Sequence, residues 1–217
     1  MSFHEKHGAD FLLLDSGALF SETAVHEGQE HANTAVIDQY ELKRYDLIEA
    51  GHKFLIIDEF IDQELMVEQK DQIEAFLNQG NLVFFAGHLF RHWIPGSSLF
   101  VPKKINSHLD YVVTVLDHPI FEGVLSEDVT YNRGVSGFFS RGHHPTPEGA
   151  EILLKLPGGE PITYIDRRSS KGTILLHAGR NLMNYRNRDN SAGRIGGQLN
   201  SWLYEEHLAI QQREVRA

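Results

Sequence analysis

The 217-residue sequence has no cysteine, which excludes disulfides, thiolate metal sites, iron–sulfur clusters and a cysteine nucleophile. It has no apolar run near the length that spans a bilayer, so no membrane partner is expected. The opening MSFHEKHGAD lacks a basic segment leading into an apolar one, so a cytoplasmic location is expected rather than a secretory one. Positive charge is scarce. Twenty Lys and Arg stand against 30 Asp and Glu, and the net charge of −10 disfavours a nucleic-acid backbone as partner. A Walker lysine is missing, and GRIGGQ (193–198) has no strand before it, as a dinucleotide fingerprint requires. Neither a cofactor nor a resident metal is expected.

The hydrophobic content, 41%, is enough to build one core without staples, and nothing divides the chain, so one domain over residues 1–217 is expected. Charge is uneven along it. Residues 1–108 hold 17 acids and 8 bases, whereas RRSSKGTILLHAGRNLMNYRNRDNSAGR (167–194) holds seven bases and one acid.

Short apolar runs that stop at polar or glycine residues read as buried strands: DFLLLD (10–15), KFLIIDEF (53–60) and NLVFFAG (81–87). Between the last two, Met66, Ile73, Phe76 and Leu77 keep a helical period and Gly80 supplies a stop. Strand, helix and strand so closely joined predict a crossover in a parallel sheet. TAVIDQYEL (34–42) reads as strand or helix, KRYDLIEAG (43–51) as a helix with a glycine end, and residues 111–116 as a strand before Pro119. AEILLKLPGGEPITYIDR (150–167) reads as an antiparallel hairpin and GTILLHAG (172–179) as one more strand. A last helix over residues 191–207 would carry Ile195, Leu199, Trp202 and Leu203 as one stripe. The expected fold is an α/β sandwich with a mostly parallel sheet and an antiparallel hairpin extension.

In such sheets ligands bind beyond the carboxyl ends of the strands. The residues just past each apolar run are therefore the candidates: Asp15 and Ser16, Asp58 and Glu59, Gly87 and His88, Asp117 and His118, His177 and Gly179. They are equally consistent with polar strand ends that only face water. His88 and His92 are four apart, but Pro95 leaves them barely a turn of helix, and a third metal ligand from His144, His177 or Asp15 has no diagnostic spacing. His143 and His144 sit in a stiff loop with Pro145 and Pro147, suited to holding a ligand or to covering a sheet end. Arg133 and Arg141 stand among glycines and aromatics, placed to grip a small anion or to line an oligomer contact. Arg180, Arg186, Arg188 and Arg194 suit a carboxylate or phosphate ligand, or simply balance the acidic half.

The phrases KFLIIDEF, EQKDQIEAFLNQGNLVFFAGH and DHPIFEGV (117–124), in that order, resemble the class I glutamine amidotransferase-like superfamily, and within it the ThuA-like (trehalose-utilisation-like) branch. The resemblance implies a flavodoxin-like three-layer sandwich. It also implies that Gly87 stands at the elbow glycine and His88 where the cysteine nucleophile would be, while Gly179 occupies the place of the acid in the expected His-x-Glu phrase. With no cysteine to form an acyl-enzyme, the chain is expected not to release ammonia from glutamine; turnover above a buffer blank would contradict this.

Three functions stay open. The first is binding of a small polar or anionic ligand, sugar derivatives included, using Ser16, Gly87, His144, Arg180 and Arg186. The second is a hydrolase or isomerase with His88 or His177 as general base, oriented by Asp15 or Glu59. The third is a structural or assembly subunit, homo-oligomeric in the simplest case. Convergence of four separated residues at the strand ends favours the enzyme; scattered side chains disfavour it.

Overall fold

The computed structural model describes residues 8–18, 33–132, 134–137, 139–186 and 188–216. Arg133 lies outside them. The sheet is built on strands β1 (Phe11–Asp15), β2 (Thr34–Asp38), β3 (Phe54–Ile57) and β4 (Leu82–Ala86). Two-residue strands come next: β5 (Val101–Pro102), β6 (Thr114–Val115), β7 (Tyr131–Asn132), β8 (Val135–Ser136) and β9 (Gly142–His143). The chain then forms β10 (Glu151–Lys155), β11 (Pro161–Asp166) and β12 (Thr173–His177).

Eight strands make one sheet in the order β2-β1-β3-β4-β12-β11-β10-β6. The first five are mutually parallel, with Phe54 of β3 beside both Phe11 of β1 and Leu82 of β4, and Leu82 beside Thr173 of β12. The remaining three pairings are antiparallel. The sheet is therefore mixed, with four parallel and three antiparallel pairings. The antiparallel hairpin extends this same sheet: β11 pairs directly with β12, so the antiparallel strands continue the parallel ones.

Both faces are covered, which explains runs with no polar alternation. Phe11, Leu13, Phe54, Ile56, Leu82 and Phe84 join the core beneath helix α4 (Ile195–Arg216), which supplies Ile195, Leu199, Trp202 and Leu203. Leu12, Leu14, Leu55, Ile57, Val83 and Phe85 join the core beneath α1 (Gln63–Glu68) and α2 (Lys70–Asn78). The crossover from β3 to β4 runs through these two helices, with Asp62 capping α1 by accepting from the amides of Glu64 and Leu65. A short helix, α3 (Ser126–Thr130), packs near the end of the antiparallel edge.

Three expectations on the elements are corrected. TAVIDQYEL splits, a strand to Asp38 and then a 3-10 helix, Gln39–Arg44, started by the Asp38 carboxylate on the Tyr40 amide. KRYDLIEAG is not a helix, because Tyr45 is extended and Asp46 instead accepts from the amides of Ile48 and Glu49 to form a turn. The strand expected over 111–116 shrinks to Thr114–Val115, since a Ser107/Asp110 capping box winds His108–Tyr111 into a 3-10 turn. The last helix starts as a 3-10 turn, Ser191–Arg194, and runs on past His207. No helix among the described residues is long and apolar enough to cross a membrane.

Candidate functional site

Three adjacent parallel strands, β3, β4 and β12, end side by side, and the residues just past their ends wall one cavity of about 480 Å³. Glu59 and Phe60 come from β3; Gly87, His88 and Phe90 from β4; Ala178, Gly179 and Arg180 from β12. The segment before β9 closes the remaining side with Gly137, Phe139, Ser140 and Arg141.

Two glycines allow these ends to meet. Gly87 has φ +147°, and a Cβ there would lie 2.7 Å from the Cα of Glu59; its amide donates to the carbonyl of His177 at 2.9 Å. At Gly179 a Cβ would fall 2.1 Å from the carbonyl oxygen of Phe139 and 2.6 Å from Nε2 of His177. Only a residue without a side chain passes at either point.

The acids of the site are strongly perturbed. Burial pushes the Asp58 carboxyl up to about 6, against a hydrogen bond from Asn181 Nδ2 at 2.5 Å. Burial and the neighbouring charge of Asp58 push Glu59 up to about 7, while the Arg180 guanidinium, 3.7 Å away, and the Asn181 backbone pull the other way. Glu59 therefore exchanges its proton near neutral pH. The His88 ring lies flat on Phe100, centroids 3.7 Å apart, and burial holds its pKa below the ordinary value, so it is neutral at physiological pH. The Ser140 hydroxyl is within hydrogen-bond reach of the carbonyls of Ala178 and Gly142, which occupies its proton. Arg141 is anchored by its Nε on the carbonyl of Gly137.

Of the residues picked from the sequence, Glu59, Gly87, His88 and Arg180 line this cavity together. His177 and His144 lie behind it, both 0% exposed. Nδ1 of His177 bonds the Thr163 hydroxyl at 2.7 Å, and burial brings its pKa down to about 3. His144 accepts the Leu89 amide on Nε2, and burial followed by the nearby His88, His177 and His143 brings its pKa down to about 3. Asp15 and Ser16 end β1, off the cavity wall: the Asp15 carboxylate accepts the Gly17 amide, and the Ser16 carbonyl accepts from Gln39 Nε2. His118 instead caps the 3-10 turn Pro119–Phe121 and sets its ring against Trp202 of α4. Arg186 packs by its stem against Gly196 at the start of α4 rather than on the cavity. His88 and His92 are not on a helix, and among the described residues no three His, Asp or Glu side chains group to hold a metal.

Sequence reasoning missed Asn181, which steadies both acids, and the aromatic walls Phe60 and Phe90. Asn181 had a signal, since it directly follows Arg180 after a strand end. Phe60 and Phe90 had none, because an aromatic after a strand is more often core.

Fold and site together define an α/β protein with a mixed sheet and a cavity where its parallel strands end. Among solved structures the chain resembles a cytoplasmic protein from Salmonella typhimurium LT2, with a TM-score of 0.56 at 10% identity over 90% of this chain and 98% of that one. It also resembles the mmIFT52 N-terminal domain, with a TM-score of 0.54 at 10% identity over 89% of this chain and 96% of that one. A beta-galactosidase from Rahnella sp. R3 matches with a TM-score of 0.53 at 14% identity over 90% of this chain, which spans only 31% of the galactosidase. At such identities the likeness is one of fold alone. No family model and no curated protein matches the sequence.

Proposed function

We propose that this chain binds a small polar or anionic ligand, sugar derivatives among them, in the cavity at the ends of β3, β4 and β12, as a non-amidotransferase relative of the glutamine amidotransferase-like superfamily. A flavodoxin-like sandwich and a cytoplasmic setting belong to the same reading; the order β2-β1-β3-β4-β12 supports the first, being the flavodoxin order with β12 in fifth place. One observation carries the binding reading. Side chains from separate strand ends, Glu59, His88 and Arg180, meet Arg141 around a space large enough for a metabolite.

The enzymatic alternative is favoured by the same convergence, with the roles changed. Glu59, on the cavity wall and poised near pH 7, is the general acid–base. His177 is fully enclosed and neutral, which suits a positioning role behind Gly179. Nuclear magnetic resonance titration of the full chain with glucose, gluconate, benzoate and inorganic phosphate tests the binding reading. Amide shifts are expected around Glu59, His88 and Gly179. Shifts confined to other surfaces, or none, would remove it. If a substrate is found, Glu59→Gln is expected to lower kcat by about 10²–10⁴ with little change in KM.

A further inference from the structure

We infer that the cavity takes an organic carboxylate with an apolar face, its carboxylate seated on Arg180 and Arg141 and its body laid against Phe60 and Phe90. The inference rests on the binding reading above and names the ligand class for the same site.

Charge is the first reason. Arg180 and Arg141 reach the cavity from different segments, the loop after β12 and the one before β9. Arg180 is 67% exposed, and the Glu59 oxygen lies 3.7 Å from it, beyond hydrogen-bond length. That guanidinium is loosely matched, and Arg141 is held at the wall by its bond to Gly137. A planar carboxylate suits guanidinium forks. A phosphate dianion suits the site less, because Asp58 and Glu59 stand beside it and would repel the second charge.

The walls are the second reason. Phe60 is 43% and Phe90 55% exposed, large aromatic faces turned to the cavity rather than to the core. Gly87, Gly137 and Gly179 offer no side chains, and the Ser140 hydroxyl is engaged by backbone carbonyls. An apolar face on the ligand would cover the two phenyl rings.

Binding would also take up a proton. The incoming negative charge competes with Glu59 for Arg180 and so favours the protonated Glu59 carboxyl. Asp58, Arg180, His88, Arg141 and Tyr185 are the titratable and charged groups facing it. Affinity is accordingly expected to fall as pH rises above about 7.

The test is calorimetric titration of the full chain with benzoate, benzyl alcohol, gluconate, glucose and inorganic phosphate, at low and high salt. Benzoate is expected to bind about tenfold or more tightly than benzyl alcohol, and more weakly in high salt. Arg180→Gln and Arg141→Gln, both at exposed positions, should each weaken benzoate several-fold with melting temperatures unchanged, and Glu59→Gln should abolish the pH dependence. If benzoate binds no better than its alcohol, or is indifferent to both arginines, the inference is overturned. Glucose, gluconate or phosphate binding more tightly than benzoate also overturns it, yet leaves the binding reading intact. Failure of every probe to bind would bring down both.

Discussion

Acidification from pH 4.5 towards 3 is expected to unfold the chain, with stability falling by about 3 kcal/mol per pH unit from His144 and His177 alone. Each buried imidazole, its pKa brought down to about 3, is neutral in the fold, whereas an unfolded one titrates near 6.5. A base whose folded pKa is depressed contributes stability above its unfolded pKa, and that stability is lost as pH falls. Two such protons at about 1.4 kcal/mol each per pH unit make the slope.

The buried acids act in the opposite sense over a higher range. Asp58 and Glu59, raised to about 6 and 7, take up protons in the fold before the unfolded chain does. They favour the fold as pH drops from about 7 to about 4. Between roughly 4.5 and 6 the pair of acids offsets the pair of imidazoles. Below that only the imidazoles remain, joined by the ion-paired Asp10 and Glu206, whose partners hold them below the ordinary carboxylate range. Urea midpoints across pH 3–7 measure this directly. A flat profile below 4.5 would contradict it, and His144→Gln should remove about half of the slope.

Gly87→Ala is expected to cost roughly 3 kcal/mol and to abolish ligand binding. The residue sits at φ +147°, where an L side chain is strained by about 1–3 kcal/mol. Its Cβ would also press to 2.7 Å on the backbone of Glu59 and 3.1 Å on Phe85, an overpacking of about 1–3 kcal/mol more. Glu59 cannot retreat cheaply, since Asp58 beside it is tied to Asn181. Gly51→Ala is the control: φ is +75° and nothing lies within 4 Å of its Cβ, so only the backbone strain remains. Equal denaturant midpoints for the two variants would show that the close approach carries no energy.

Strand ends hold the site for a reason present in the runs themselves. LVFFA and FLII are apolar on both parities because helices cover both faces, so the first polar residues after each must be where the chain leaves the sheet. That logic reaches Glu59, Gly87, His88 and Gly179 directly, whereas Arg180 is marked by the arginine-rich stretch that follows β12. It also selects Asp15 and Ser16, since β1 has the same composition; yet β1 is separated from β4 by β3, and the cavity lies over β3, β4 and β12.

Local features are legible in the chain alone. The absence of cysteine settles which nucleophile is missing, the apolar runs mark β1, β3, β4 and β12, and the Pro-Gly-Gly-Glu-Pro turn marks a hairpin. Each stems from short-range sterics and from whether a side chain can face water. Long-range packing set β12 beside β4, about ninety positions from it in the chain, and made β11 continue the sheet antiparallel. The same packing put Arg141 rather than Arg186 on the cavity, enclosed His144 and His177, and brought Gly87 against Glu59. Such pairings depend on which surfaces complement one another once the chain has collapsed, and that information is carried by no segment taken alone.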